Sequence, residues 1–80
     1  MKKYKFTDYF ENEVLRKRSY LKKKWCIRVL ESPTKIERQE NNRYRYWATI
    51  DEMDGRFLRV VTLEDQITIH NAFLDRRFKS

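Results

Sequence analysis

The chain of 80 residues holds one cysteine (Cys26), one histidine (His70), one glycine (Gly55) and one proline (Pro33). A single cysteine excludes an internal disulfide framework and a cysteine zinc cage. A single histidine excludes a multi-histidine metal site within the chain. One glycine cannot build a glycine-rich phosphate loop. No apolar run approaches the ~20 residues that a membrane-spanning helix needs. Behind Met1-Lys2-Lys3 the sequence is charged and polar, so the apolar centre of a secretion signal is missing. The corresponding expectations are no cofactor, no metal, no membrane contact and a cytoplasmic location.

What is present is charge and aromatic surface. Hydrophobic residues make up 40% of the chain and aromatics 15%, enough for a thin core in one small domain. Lysine and arginine number 19 against 12 acidic residues, a net +7. The surplus is local. Residues 1–30 hold ten basic and three acidic residues, whereas residues 31–80 hold nine of each.

The first thirty residues read as helical. Asp8 is expected to cap a helix with Glu11 as its capping-box partner. Phe6, Phe10 and Val14 recur at four-residue spacing, which stacks them on one face. Ser19 is expected to start a second helix carrying Leu21, Trp25 and Val29, and Ser32-Pro33 ends it. The predicted helices cover 8–18 and 20–31, the alternative being a single bent helix. Beyond Pro33 the period changes to two. The expected strands are 34–39, charged enough for an edge, then 43–50, 56–63 and 66–73, followed by a basic tail 74–80. Glu40-Asn41-Asn42, Asp54-Gly55 and Glu64-Asp65-Gln66 supply the turns. The fold class this predicts is α+β, two N-terminal helices packed on one face of a four-stranded antiparallel sheet, order ααββββ.

Alternation sorts the side chains of the strands. Tyr44, Tyr46, Ala48 and Ile50 form one set with Leu58, Val60 and Thr62, and with Ile67, Ile69, Asn71 and Phe73. The opposite set holds Arg43, Arg45, Trp47 and Thr49 with Phe57, Arg59 and Val61, and with Thr68, His70 and Ala72; it presents Arg43, Arg45, Trp47, Arg59 and His70 on the side that the helices leave uncovered. This is a cationic patch with an aromatic in it and the chain's one histidine beside it. Arginine pairs bidentately with phosphate oxygens. Trp47 offers a stacking surface for an unpaired base. Imidazole can exchange a proton near neutral pH. For RNA cleavage, Arg45 and Arg59 would stabilise the phosphorane charge and His70 would serve as general acid or base. Arg43, Trp47, Arg76 and Arg77 are the expected substrate-binding residues.

Structural readings stand beside these. His70 is also read as an ordinary hydrogen-bonded residue, Arg43 and Arg45 as solvated strand residues, and Trp47 as a packing residue. Lys22-Lys23-Lys24 reads as a solvated helix face. Cys26 reads as a small buried hydrophobe. Asp75 is expected to pair with Arg76 or Arg77, the alternative being to orient the His70 imidazole.

Val29-Leu30-Glu31-Ser32-Pro33, then Ile36-Glu37, Arg43-Tyr44-Arg45-Tyr46, Gly55-Arg56-Phe57-Leu58-Arg59-Val60-Val61 and Thr68-Ile69-His70-Asn71-Ala72-Phe73 together resemble small bacterial toxins of the RelE/ParE/BrnT-like superfamily. That superfamily is related in fold to barnase and the colicin nucleases. The resemblance spans residues 8–78 and its motifs are element boundaries, not catalytic signatures. It implies a metal-independent endoribonuclease acting on mRNA and silenced by an acidic antitoxin protein. Arg45, Arg59 and His70 match by strand position. Relatives often carry a histidine in the first helix, where this chain has Phe10, Val14 and Arg18, and some branches of the superfamily act on gyrase instead. The alternatives to a ribonuclease toxin are a nucleic-acid-binding domain without catalysis and a protein-interaction domain with an acidic partner.

Overall fold

Secondary structure begins before the first helix. In a computed structural model describing residues 3–79, β1 (Lys5–Phe6) lies parallel to the last strand. Lys5 N–H donates to the Ile67 carbonyl and Thr7 N–H to the Ile69 carbonyl, both at 3.0 Å. A helical segment follows. It starts at Asp8, passes through a π-helical turn, Phe10–Val14, and ends as α1 (Leu15–Lys17). Next come α2 (Lys23–Glu31), β2 (Lys35–Arg38), β3 (Tyr44–Ile50), a 3-10 turn (Asp51–Met53), β4 (Arg56–Thr62) and β5 (Thr68–Leu74). The sheet order is β1-β5-β4-β3-β2, with every contact antiparallel except β1 with β5. The fold is therefore α+β with a five-stranded mixed sheet. This corrects the expected ααββββ order on a four-stranded antiparallel sheet. A two-residue strand is too short to leave a period-two pattern, and Phe6 also satisfies the helical stripe. Its ring does meet Phe10, at 5.2 Å between centroids, but from a strand.

The helix start is also displaced by one residue. The Thr7 hydroxyl oxygen, not Asp8, accepts from Phe10 N–H at 3.0 Å and satisfies one of the unpaired donors of the first turn. The π-turn then closes with Leu15 N–H on the Phe10 carbonyl. Phe10 and Val14 are both buried, so the four-residue stripe does what its spacing demands. The second helix starts later than expected. Lys22, in extended conformation, precedes it without a side-chain cap, and no acidic residue lies in its first turn. Lys22 to Lys24 therefore oppose the helix dipole, at about 0.3–1 kcal/mol each. What holds α2 is its inner face of Trp25, Cys26 and Val29. Burial there is worth roughly 1.5–3 kcal/mol for a large apolar side chain. A two-pronged ion pair adds to this: Arg28 Nη1 and Nη2 reach the Glu52 carboxylate at 2.7 and 3.0 Å. Those bonds hold the Glu52 carboxyl down at about 2 and tie α2 to the turn after β3. Burial pushes the Cys26 thiol up to about 12, so it is an inert packing group.

The core lies between the helices and one face of the sheet. Phe10, Val14, Trp25 and Val29 meet Tyr46, Ala48, Ile50, Leu58, Val60, Ile69 and Ala72. The β3–β4 hairpin turns through Asp54 and Gly55, both at positive φ (58° and 73°), the backbone region that Asp-Gly tolerates. β5 contains a bulge. Val61 opposes Asn71 and Thr62 opposes Ile69, which leaves His70 as the extra residue. Alternation therefore changes phase at His70. Ile69 and Ala72 both enter the core, while Asn71 and Phe73 align with Val61 and Arg59 on the other face. This corrects the expected grouping of Asn71 and Phe73 with the apolar set and of Ala72 against it.

Candidate nucleic-acid interface

On the side away from the helices, cross-strand register assembles the site in rows. Lys35, Trp47, Arg59 and Phe73 are successive partners across β2, β3, β4 and β5. Glu37, Arg45, Val61 and Asn71 form the next row. Arg45 and Arg59 thus stand on the same face, as alternation in β3 and β4 predicts. Each has a carboxylate near it. Arg45 Nη2 lies 3.3 Å from Glu37 Oε1, and Arg59 Nη1 lies 3.7 Å from Asp75 Oδ2. Neither pairing is complete, because the Nε atoms of both arginines are buried and have no partner among the described residues. Arg59 also lies over two aromatic rings, 5.0 Å from the Phe73 centroid and 5.8 Å from that of Trp47. Arg18, from the helical third, reaches Phe73 from another direction, at 5.6 Å. This joins the basic N-terminal third to the sheet face.

The tail completes the surface. Asp75 N–H donates to the Phe57 carbonyl at 2.9 Å, the last bond of the β4–β5 ladder. The chain then turns, with Asp75 Oδ1 accepting from Arg77 N–H at 3.1 Å. The turn brings Phe78 back over the sheet. Its ring stacks on Trp47 at 4.8 Å and 14°, and meets Phe57 nearly edge-on at 4.7 Å and 62°. Trp47 is 5% exposed, and its indole N–H donates to Asp75 Oδ2 at 3.0 Å. The indole bond, followed by those from the tail backbone and the charge of Arg59, holds the Asp75 carboxyl below its ordinary range. Asp75 therefore serves Trp47 and Arg59, not the Arg76 and Arg77 side chains or the His70 imidazole of the sequence reading.

An open groove of about 340 Å³ runs along this face. Its walls carry five cations, Lys35, Arg45, Arg59, Arg77 and Lys79, against two carboxylates, Glu37 and Asp75. Trp47 and Phe78 form its apolar floor. Arg76 lies beyond Phe78, in the neighbouring hollow with Arg56 and Phe57. Arg43 precedes β3, and its carbonyl accepts from Gln39 N–H at 2.7 Å.

His70 lies apart from the groove lining. At the bulge its Nδ1 is 3.1 Å from the Thr7 hydroxyl, and its ring stacks on Tyr9 at 4.9 Å. The Thr7 hydroxyl therefore bridges the first turn of the helix, through Phe10 N–H, and the His70 ring. Burial, with the charge of Arg43 second, lowers the His70 pKa from 6.5. The native state then binds this proton less readily than the unfolded chain. Stability from this source is full above about pH 6.5 and is lost as pH falls through the lowered native value. Urea unfolding at pH values falling below about 6.5 is expected to show that decline, and a His70→Gln variant is expected to flatten it. A native His70 titrating above 6.5 by proton NMR would contradict the assignment.

Of the seven residues that sequence reasoning nominated, the groove lining contains Arg45, Arg59, Trp47 and Arg77, whereas His70, Arg43 and Arg76 lie outside it. Sequence reasoning missed Phe78, Asp75 as the ligand of the Trp47 indole, and the partnership of His70 with Thr7 and Tyr9. The available signal for Phe78 was a lone aromatic set among Arg76, Arg77 and Lys79. Among the described residues no group of three or more metal-ligating side chains gathers, and no helix is long and apolar enough to cross a membrane. No protein-family model, curated protein or solved structure matches the chain, and the likeness to the RelE/ParE/BrnT-like toxins rests on the residues quoted for it alone.

Proposed function

We propose that the protein is a single-stranded RNA-binding module that takes the strand along the open face of its sheet. The observation that carries this is the groove in which five cations outnumber two carboxylates over a floor of stacked aromatics. Phosphate oxygens suit the guanidinium forks of Arg45 and Arg59, which both line the groove. The aromatic floor is a sequence-tolerant support for bases. The basic N-terminal third adds a field that draws a polyanion inward. Among the described residues only Lys23 and Arg28 of that third form ion pairs, with Glu11 and Glu52.

The reading is binding, not cleavage. His70, the nominated acid or base, has its Nδ1 committed to Thr7 and lies outside the groove lining. Anisotropy titration with short oligo(U) RNA, repeated across salt concentrations, tests the proposal. The expected result is saturable binding that weakens steeply with salt, with the RNA recovered intact. No binding, or binding indifferent to salt, would sink it.

A further inference from the structure

We infer that the C-terminal segment 75–79 is an internal strap, with Phe78 occupying the place on Trp47 that an unpaired nucleobase takes when RNA binds. The inference rests on the RNA-binding reading and goes beyond it, because it assigns a base subsite and says what keeps it closed.

The geometry is that of a stacked base. The Phe78 ring lies almost parallel to the indole, at 14°, with centroids 4.8 Å apart. An aromatic base stacks at comparable spacing, and any base can do so because each has a π-face. Phe57 closes the side of the site edge-on, as it would against a base. The cations Lys35, Arg45 and Arg59 lie on the sheet beside this stack, where the sugar-phosphate of a stacked nucleotide would run. Arg77 and Lys79 belong to the strap itself, so they can follow the phosphates when it lifts.

The strap is lightly held. Its last ladder bond is Asp75 N–H to the Phe57 carbonyl. Beyond that point its polar ties among the described residues converge on one group, the Asp75 carboxylate, and the rest is ring contact. Lifting Phe78 therefore breaks no strand pairing and leaves the core untouched. It exposes the Trp47 face, which the sheet positions but does not itself cover. RNA must compete with Phe78 for that face, so the strap lowers affinity for strands that stack a base there and leaves a polyanion without bases unaffected.

The test compares the full-length protein with Phe78→Ala and Phe78→Trp variants against two probes, oligo(U) RNA and inorganic polyphosphate. Polyphosphate supplies the charge without bases. Phe78→Ala is expected to bind oligo(U) about two- to tenfold more tightly, the value of one aromatic pair, with polyphosphate affinity unchanged. Phe78→Trp, a larger plug, is expected to bind oligo(U) no better than the wild type. Thermal melts of both variants close to that of the wild type would show that the change is local. A Phe78→Ala protein that binds oligo(U) no more tightly than the wild type, or that gains equally for polyphosphate, would overturn the strap while leaving the RNA-binding reading in place. A wild-type and a Phe78→Ala protein that both fail to bind either probe would overturn that reading and the strap together.

Discussion

Affinity for single-stranded RNA is expected to fall about 50-fold between roughly 50 and 200 mM salt if four phosphates are neutralised, since each contributes about 0.7 to the slope of log affinity against log salt. Four of the five groove cations enter this count: Arg45, Arg59 and Lys35 on the strands and Arg77 on the tail. In an Arg45→Ala/Arg59→Ala double variant the slope is expected to flatten by about 1.4, and affinity at low salt to drop by about tenfold or more. The loss is smaller than two free guanidiniums would give. In the unbound protein Arg45 faces Glu37 and Arg59 faces Asp75, so each contact with phosphate replaces an existing one. Replacement by lysine at both positions keeps the charge and loses the fork. The slope is then expected to recover and the affinity to recover only in part. A Lys24→Ala protein, altered on the exposed face of α2, is expected to stay within about twofold of the wild type. An unchanged slope in the double variant would move the RNA away from this face.

Phe10→Ala is expected to be the most damaging single truncation. Phe10 is fully buried, packs against the Phe6 ring and lies in the first turn of the helical segment that Thr7 caps. Removing such a ring costs about 3–5 kcal/mol, the transfer energy of the side chain plus the cavity it leaves. A domain of this length has a total stability of only about 4–12 kcal/mol. The variant should therefore melt at least about 12 °C lower, at roughly 4–8 °C per kcal/mol, or fail to fold. Tyr9→Ala, one residue earlier, is the comparison. Tyr9 is 45% exposed and contributes a single stack on His70, so its loss should cost about 1 kcal/mol. Thermal melts followed by circular dichroism would separate the two, and equal effects would contradict the placement of Phe10 at the centre of the core.

How far the chain is readable without coordinates depends on how long each signal persists. β3 and β4 alternate over seven residues each, and their faces came out as alternation requires: Tyr46, Ala48, Leu58 and Val60 inward, Arg45, Trp47 and Arg59 away. β1 has two residues and no period, and only its pairing with Thr68 and Ile69 makes it a strand. In β5 one extra residue at His70 reverses the phase. Nothing in Thr68-Ile69-His70-Asn71-Ala72-Phe73 marks the bulge, because each residue is acceptable on either side. The same bulge directs His70 to Thr7 and Tyr9, partners 63 and 61 positions away, which explains why an intact alternation placed it with the arginines. The strap was hidden for another reason. A tail of Arg76, Arg77 and Lys79 reads as solvated charge, and the single aromatic among them matters only because the Asp75 turn returns it to Trp47.

The two indoles of the chain lie on opposite sides of the sheet, Trp25 in the core beneath the helices and Trp47 under Phe78. Their N–H resonances in a ¹⁵N-labelled sample, followed during titration with oligo(U), therefore report directly on where RNA goes. The Trp47 signal should shift progressively and saturably, since its bond to Asp75 and its stack on Phe78 are both disturbed, while the Trp25 signal stays in place. A stationary Trp47 signal, with movement confined to the amides of Lys22 to Lys24, would put the RNA on the helical side and leave the groove without a function.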